Sequence, residues 1–319
     1  MKKLLVLALL CAIAFTFVAC GNKTGELETV RFTSPKSDWA GLGLIAIEKG
    51  YFEKQGLNVE VSYVDTGVQA MQALVSGSVD FASVVDTNVA TLGFSGNEEV
   101  SIVASTNNYT ASAIVARKSS GISTPADLKG KKLAISSGTT SEIYAVRLLE
   151  KYGLTLNDVE ISKIAAGAIG ASLISKAVDA ISSWEPWNYN AIKAIGDDAI
   201  TFREPAVYTG NMFLGVNKEF AKNNKATTVK FLKAMKEAAN FAKSNPSEAQ
   251  ATLAGVINLD LEVMQSIWDG LDYDVTFSNE YIDRVTKIGE YYKEDEANKG
   301  KVFPDYSKYF DGSFAKEVK

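Results

Sequence analysis

The chain has 319 residues, two cysteines, no histidine and a formal net charge of −5. Histidine is the commonest metal ligand and the commonest general base, so its absence excludes a Ser-His-Asp triad, a Cys-His pair and a histidine-ligated zinc site. The mild negative charge and the scattered basic residues argue against nucleic acid as a partner. We therefore expect a binding domain without metal or cofactor.

The chain begins with a segment that is typical of a secreted protein. Two lysines precede an apolar run from Leu4 to Val18, which is short for a membrane span and has the layout of a secretory signal. The run ends at a small residue followed by Cys20, which resembles a bacterial lipobox in which the thiol receives a diacylglycerol. We expect residues 1–19 to be removed and residues 20–29 to form a lipid anchor and tether. An ordinary signal peptide with a chance cysteine is the alternative.

After the tether, short apolar runs alternate with helical patterns, which predicts an α/β protein with mainly parallel sheets. The first half is predicted to contain strands at 30–34, 58–64 and 81–85 and helices at 41–49 and 68–76. The same plan recurs, with strands at 133–136, 159–164 and 180–183 and helices at 142–152 and 169–176. Four further helices, at 227–244, 246–257, 261–271 and 278–296, are predicted to pack on the first lobe. Their expected N-caps are Thr227, Asn245, Asp260 and Ser278.

An internal repeat predicts two lobes. LVSGSVDFAS at 74–83 aligns with LISKAVDAIS at 173–182, and each copy reads as a helix end, a turn and a buried strand. Open α/β sheets bind ligands beyond the carboxyl ends of their strands, so two facing units would form a ligand cleft. Chance similarity between α/β units is the alternative.

Several segments carry a family resemblance. IEKGYFEKQGLNVEV at 47–61 and QALVSGSVDFASV at 72–84 resemble periplasmic solute-binding proteins of the nitrate, sulfonate and taurine class, which are related to thiamine-pyrimidine binding proteins. The segments at 124–142 and 177–187 support the resemblance. It implies a type II periplasmic-binding-protein fold of two lobes, in which a helical C-terminal tail lies on lobe one.

The resemblance also implies a domain plan and a set of partners. The chain would cross the hinge twice, so that lobe one holds 30–107 plus 211–319 and lobe two holds 108–210. An extracytoplasmic, monomeric binder of this class, anchored to the membrane by its lipid, would deliver a small-molecule solute to an ABC permease.

Candidate ligand contacts in lobe two lie in two loops. Ser137, Gly138, Thr139 and Thr140 open a helix, whose free N–H groups suit a sulfonate, carboxylate or nitrate, although one of them could simply cap the helix. Trp184 could stack on a flat ligand. Glu185 occupies the place where taurine-type relatives carry an acid for the ligand's amine. Ordinary core packing for the tryptophan and helix capping for the acid are the alternatives.

Candidate contacts in lobe one follow the predicted strands and the hinge. They are Ser37, Asp38, Trp39, Asp65, Thr66, Asp86, Thr87, Asn108, Tyr109 and Asn211. For Asp65 and Asp86, N-capping of the next helix is the stronger interpretation.

The charges of these loops narrow the ligand class. The candidate loops hold four carboxylates but only Lys36 as a cation, which disfavours nitrate and favours a sulfonate- or taurine-like zwitterion or an aminated heterocycle. A thiamine-pyrimidine or other vitamin-precursor binder is an alternative ligand class. Two alternatives differ in function: a sensor for a membrane receptor, and a pyrimidine-forming enzyme, which is disfavoured because such relatives use histidine and a cysteine-rich motif.

Overall fold

A computed structural model describes residues 27–110 and 112–318. The predicted signal segment 1–19, the lipidation site Cys20 and most of the tether 20–29 lie outside the described residues. The strands are β1 Glu28–Pro35, β2 Leu57–Val64, β3 Phe81–Val85, β4 Val100–Tyr109, β5 Ala113–Arg117, β6 Lys132–Ile135, β7 Glu160–Lys163, β8 Ala180–Ser183, β9 Ala199–Phe202, β10 Gly210–Asn217 and β11 Leu271–Thr276. The α-helices are α1 Gly41–Glu48, α2 Tyr51–Lys54, α3 Gly67–Val75, α4 Asp86–Ser95, α5 Thr140–Lys151, α6 Ala166–Ile174, α7 Trp187–Ile195, α8 Lys218–Asn223, α9 Lys225–Ser244, α10 Pro246–Ile257, α11 Leu261–Ile267 and α12 Glu280–Lys293.

The strands form two sheets, and the predicted two-lobe α/β fold is confirmed. The sheet of lobe one has the order β11-β4-β10-β3-β1-β2, and the sheet of lobe two has the order β7-β6-β8-β5-β9. The chain passes between the sheets twice, from β4 to β5 and from β9 to β10. We refer to these two connections as the hinge segments.

Each sheet is mixed rather than mainly parallel. β1 pairs in parallel with β2 and β3, and β6 pairs in parallel with β7 and β8. The strands that emerge from the hinge, β10 and β5, are antiparallel to both of their neighbours. A strand that enters its sheet from the cleft runs opposite to strands whose carboxyl ends face the cleft, which explains the mixture.

The two aligned segments of the repeat have the same local geometry. Asp80 accepts a hydrogen bond from Arg31 N (2.8 Å), and Asp179 accepts the equivalent bond from Lys132 N (3.0 Å). At the aligned turn position Gly77 has a φ of +72° and Lys176 a φ of +64°. The second copy therefore keeps a left-handed turn even where its residue is not glycine.

The C-terminal region differs from the prediction in one element. The helix expected at 261–271 ends as α11 at Ile267, and the chain then forms β11, which pairs antiparallel with β4 at the sheet edge. Leu271, Tyr273 and Val275 are buried and alternate with more exposed residues, which is the period-two pattern of a half-buried strand. The helical interpretation missed this change of period.

Two predicted N-caps are also wrong. α9 begins at Lys225, and the Thr227 hydroxyl donates to the carboxylate of Glu28 instead. The N-cap of α12 is Asn279 rather than Ser278.

The core of lobe one explains why the C-terminal helices pack there, as predicted. Phe231 of α9 stacks on Phe81 of β3 with ring centroids 4.1 Å apart and lies 4.5 Å from Phe52 and 5.3 Å from Phe32. Burial of these rings stabilises the lobe by about 1.5–3 kcal/mol per side chain. Within 27–110 and 112–318, no helix has the length and apolar character needed to cross a bilayer.

Candidate ligand-binding site

Three aromatic side chains from both lobes meet between the two sheets. Trp39 follows β1, Tyr109 ends β4 and Trp184 follows β8. The Trp39 ring lies 6.1 Å from Tyr109 in a stacked arrangement and 6.0 Å from Trp184 in an edge-to-face arrangement. All three are almost completely buried. We call these residues the aromatic cluster; it brings together three of the predicted contacts.

Asp38 lies next to the aromatic cluster and is fully buried. Neither of its carboxylate oxygens has a hydrogen-bond partner among the described residues. Burial and then the nearby charge of Glu185 raise the pKa of Asp38 to about 7, and Arg203 opposes this rise. The backbone is held in place because Tyr273 of β11 donates to the carbonyl of Asp38 and Asn107 Nδ2 donates to the carbonyl of Trp39 (3.0 Å).

Glu185 is also buried in the site, but its carboxylate already has partners. Oε1 accepts a hydrogen bond from Arg203 Nη2 (2.7 Å), and Oε2 accepts one from the backbone N–H of Tyr189 (2.8 Å). Burial raises the pKa of Glu185 while Arg203 lowers it. The two acids of the site therefore differ: Glu185 belongs to an ion pair, whereas Asp38 has no partner in the described chain.

Further polar atoms without partners surround the aromatic cluster. Buried polar atoms normally have at least one hydrogen-bond partner, so such a group in one place points to an absent ligand or water. Those without a partner among the described residues include Ser37 Oγ, Trp39 Nε1, Asn107 Oδ1, Ser112 Oγ, Ser183 Oγ, Trp184 Nε1, and Asn188 Oδ1 and Nδ2. Donors and acceptors are both present, so this group could hold a ligand that itself carries donors and acceptors.

The predicted anion loop in lobe two contacts the other lobe instead of standing open. Gly138, with a φ of +73°, accepts hydrogen bonds at its carbonyl from Thr87 Oγ1 (3.0 Å) and Asn88 Nδ2 (3.2 Å). Its N–H donates to Glu142 Oε2 (2.8 Å). Thr139 precedes α5, but its hydroxyl donates to Ser136 O (2.6 Å) and makes no cap bond.

The remaining two residues of the loop divide between the surface and the interior. Ser137 is exposed, and Thr140, the first residue of α5, is buried. The side-chain hydroxyl of Thr140 lies within hydrogen-bonding reach of the Tyr109 phenol and opposes the rise in its pKa that burial causes.

Asp86 and its neighbours form a hydrogen-bond network at the hinge. Asp86 Oδ2 accepts from Tyr208 OH (2.8 Å) and Asn211 N (3.0 Å), and Oδ1 accepts from Thr87 N (2.8 Å). Burial raises the pKa of Asp86 to about 6 against these donors. The side chain of Asn211 donates to that of Asn108. These predicted contacts thus join α4 to both hinge segments.

Asp65 and Thr66 lie apart from the aromatic cluster. Thr66 is the N-cap of α3 and forms a capping box with Gln69, so Thr66 and not Asp65 fills the capping role. Asp65 is exposed, with a carboxylate oxygen near Gly167 of the other lobe. At the next helix, α4 begins at Asp86 with Val85 as its N-cap, so Asp86 does not cap either.

Sequence reasoning missed several residues of the site. The clearest is Arg203, a cation directly after β9, because that strand was not predicted and only Lys36 was counted among the loop cations. Asn188 in the first turn of α7 and Ser183 at the end of β8 were also missed, although both lie within four residues of Trp184.

The two lobes are in contact around the site. Glu142 of lobe two accepts hydrogen bonds from the hydroxyls of Tyr291 and Tyr292 of lobe one, each at 3.3 Å. On another side of the cleft, Asp260 of lobe one pairs with Lys193 of lobe two at 3.6 Å. The structure is therefore a closed form in which the aromatic cluster is shielded from solvent.

Comparison with known proteins identifies the family. The family described as NMT1/THI5 like matches residues 38–249, which is more than half of the chain. The chain belongs to this family. A Bacillus subtilis protein named for binding aliphatic sulfonates is 25% identical over 276 residues, covering 84% of this chain and 82% of that protein. A formylaminopyrimidine-binding protein of Halalkalibacterium halodurans is 24% identical over 259 residues and covers 78% of each chain.

Solved structures show the same fold. The periplasmic aliphatic sulphonate binding protein SsuA of Escherichia coli superposes with a TM-score of 0.73 at 22% identity, covering 88% of this chain and 91% of that one. At this identity the likeness concerns the fold alone.

Proposed function

We propose that this member of the NMT1/THI5-like family is the extracytoplasmic solute-binding component of an ABC importer. The observation that carries the proposal is the closed interlobe site, where the aromatic cluster and the unpartnered polar atoms around it are buried. A site of this kind suits a small organic solute that is enclosed when two lobes close. The family membership and the periplasmic-binding fold of its structural neighbours support this role.

The proposal includes the domain plan and a role without chemistry. Residues 30–107 plus 211–319 would move as one lobe and residues 108–210 as the other, with Cys20 carrying the lipid that keeps the protein at the membrane. The solute would be a sulfonate- or taurine-like zwitterion, an aminated heterocycle or another vitamin precursor. The two curated relatives described above are named as binding proteins, which supports binding without catalysis and delivery to a permease.

Ligand-induced stabilisation tests the binding role. Residues 25–319 would be unfolded thermally in the presence of taurine, alkanesulfonates, nitrate, aminopyrimidines and aromatic acids. A compound at a hundred times its Kd should add about 2.7 kcal/mol of stability. Trp184→Ala should abolish the shift, whereas the matched control Trp268→Ala, whose ring packs against Tyr273, should keep it.

The outcome against the proposal is equally clear. If no compound stabilises the protein and native mass spectrometry detects no solute that copurifies with it, the binding role is wrong.

The lipid anchor has its own test. The full chain expressed in a bacterial host should appear in the membrane fraction with an N-terminal mass that corresponds to a lipidated Cys20. Cys20→Ser should move the protein out of that fraction. Membrane attachment that survives this substitution would contradict lipid anchoring.

A further inference from the structure

The charges of the closed site leave one carboxylate without a counterpart. Arg203 pairs with Glu185 at 2.7 Å, and this pair is neutral as a unit. Asp38 is the second acid, and it is fully buried with both oxygens unpartnered within the described chain. An isolated ionised carboxylate is strongly unfavourable in a buried position unless it is paired and hydrogen-bonded. The site therefore requires donors, and preferably a positive charge, from whatever it binds.

The rings around Asp38 restrict the shape of that ligand. Trp39 and Tyr109 are nearly parallel, with 25° between their planes, and Trp184 meets Trp39 edge-on. Aromatic faces favour flat rings and cations. The indole N–H groups of Trp39 and Trp184 lack acceptors in the described structure, so the ligand should also present acceptor atoms.

A sulfonate fits this arrangement poorly. It would bring a negative charge against the unpaired carboxylate of Asp38, and like charges that are buried close together repel strongly. The N–H of Gly138 in the predicted anion loop is already bonded to Glu142.

We propose that the site binds an amino-substituted, flat nitrogen heterocycle or an aromatic amidine, with a pair of N–H donors directed at the two oxygens of Asp38 and the ring against the aromatic cluster. Two parallel donors match the two oxygens of a carboxylate, as in bidentate pairs. This inference rests on the proposed function and selects one ligand class for the same site.

The test compares matched compounds by isothermal titration of residues 25–319 at pH 8. The probes are 4-aminopyrimidine, pyrimidine, benzamidine, toluene, taurine and ethanesulfonate. We expect binding of the aminated ring or the amidine, and at least tenfold weaker binding of the parent ring and of both sulfonates. Asp38→Asn should weaken the aminated ligand about 10- to 100-fold, as expected for a hydrogen bond to a charged group.

Controls keep the test decisive. Asp283→Asn, at an exposed position on α12, should change affinity less than twofold. Circular dichroism and the thermal midpoint of the Asp38→Asn protein check that it is folded. If a sulfonate binds and Asp38→Asn does not weaken it, this inference is overturned while the binding role stands. If no probe binds and no solute copurifies, both are overturned.

Discussion

The unpartnered carboxylate of Asp38 predicts that removing its charge stabilises the ligand-free protein at high pH. Burial raises the pKa of Asp38 to about 7, whereas the unfolded value is about 3.9. An acid whose pKa is higher in the folded state binds its proton more tightly there, so this group makes the free energy of unfolding fall as pH rises from about 4 to about 7. Three pKa units correspond to about 4 kcal/mol, which is an upper value because opening of the lobes would hydrate the carboxylate.

Urea denaturation of the Asp38→Asn and wild-type proteins measures this effect. The stability difference in favour of the variant should grow by about 3 kcal/mol between pH 5 and pH 8, because the asparagine does not titrate. Asp283→Asn serves as the control and should follow the wild-type profile. Parallel pH profiles for Asp38→Asn and wild type would refute the conclusion that Asp38 is buried without a partner in the ligand-free protein.

Three further predictions concern the site and the repeat. The affinity for benzamidine should rise about tenfold per pH unit from pH 5 to about 7 and then level off, since Asp38 must be ionised to pair with the cation; titration at four pH values would show a flat profile if this pairing is absent. Lys176→Gly should stabilise the protein by about 1 kcal/mol by relieving a left-handed backbone, and Gly77→Ala should destabilise it by a similar amount, as measured by urea denaturation; a loss in both would contradict the assignment of strain to Lys176. Arg203→Met should destabilise the protein by about 3 kcal/mol because it leaves Glu185 buried without its cation, and a double-mutant cycle with Glu185→Gln should recover most of this loss; additive effects would argue against a coupled pair.

Elements whose signal is local were predicted well from the sequence. The strand at 81–85 and the helix at 246–257 match β3 and α10 residue for residue. In both cases the apolar pattern and the bounding residues lie within the element itself. The repeat was visible for the same reason, because each copy carries its own turn and its own aspartate.

Elements that depend on distant partners were not predicted. β10 is buried along almost its whole length in the centre of the lobe-one sheet and shows no alternation that would distinguish a strand. β11 follows directly on a helix, and only its pairing with β4 makes it a strand. In both cases the deciding hydrogen bonds are made with residues far away in the sequence.

The site shows the same division. Placement after strands was enough to select Asp38, Trp39, Tyr109, Trp184 and Glu185, and the structure brings these five residues together. The same rule also selected residues with other surroundings, because a position after a strand does not reveal which way a side chain points. Asp86, Asn108 and Asn211 join the hinge network, and Asp65 faces solvent.

By itself, the sequence determined the α/β class, the absence of histidine chemistry and the acidic character of the loops that line the cleft. Only the tertiary structure decided which acid has a partner. Asp38 and Glu185 look equivalent in the sequence, yet Arg203, 18 residues after Glu185, pairs with that residue and leaves the oxygens of Asp38 unpartnered in the described chain. The reason is physical: the free energy of a buried charge depends on its distance to other charges and on its exclusion from water, and both are properties of the folded chain.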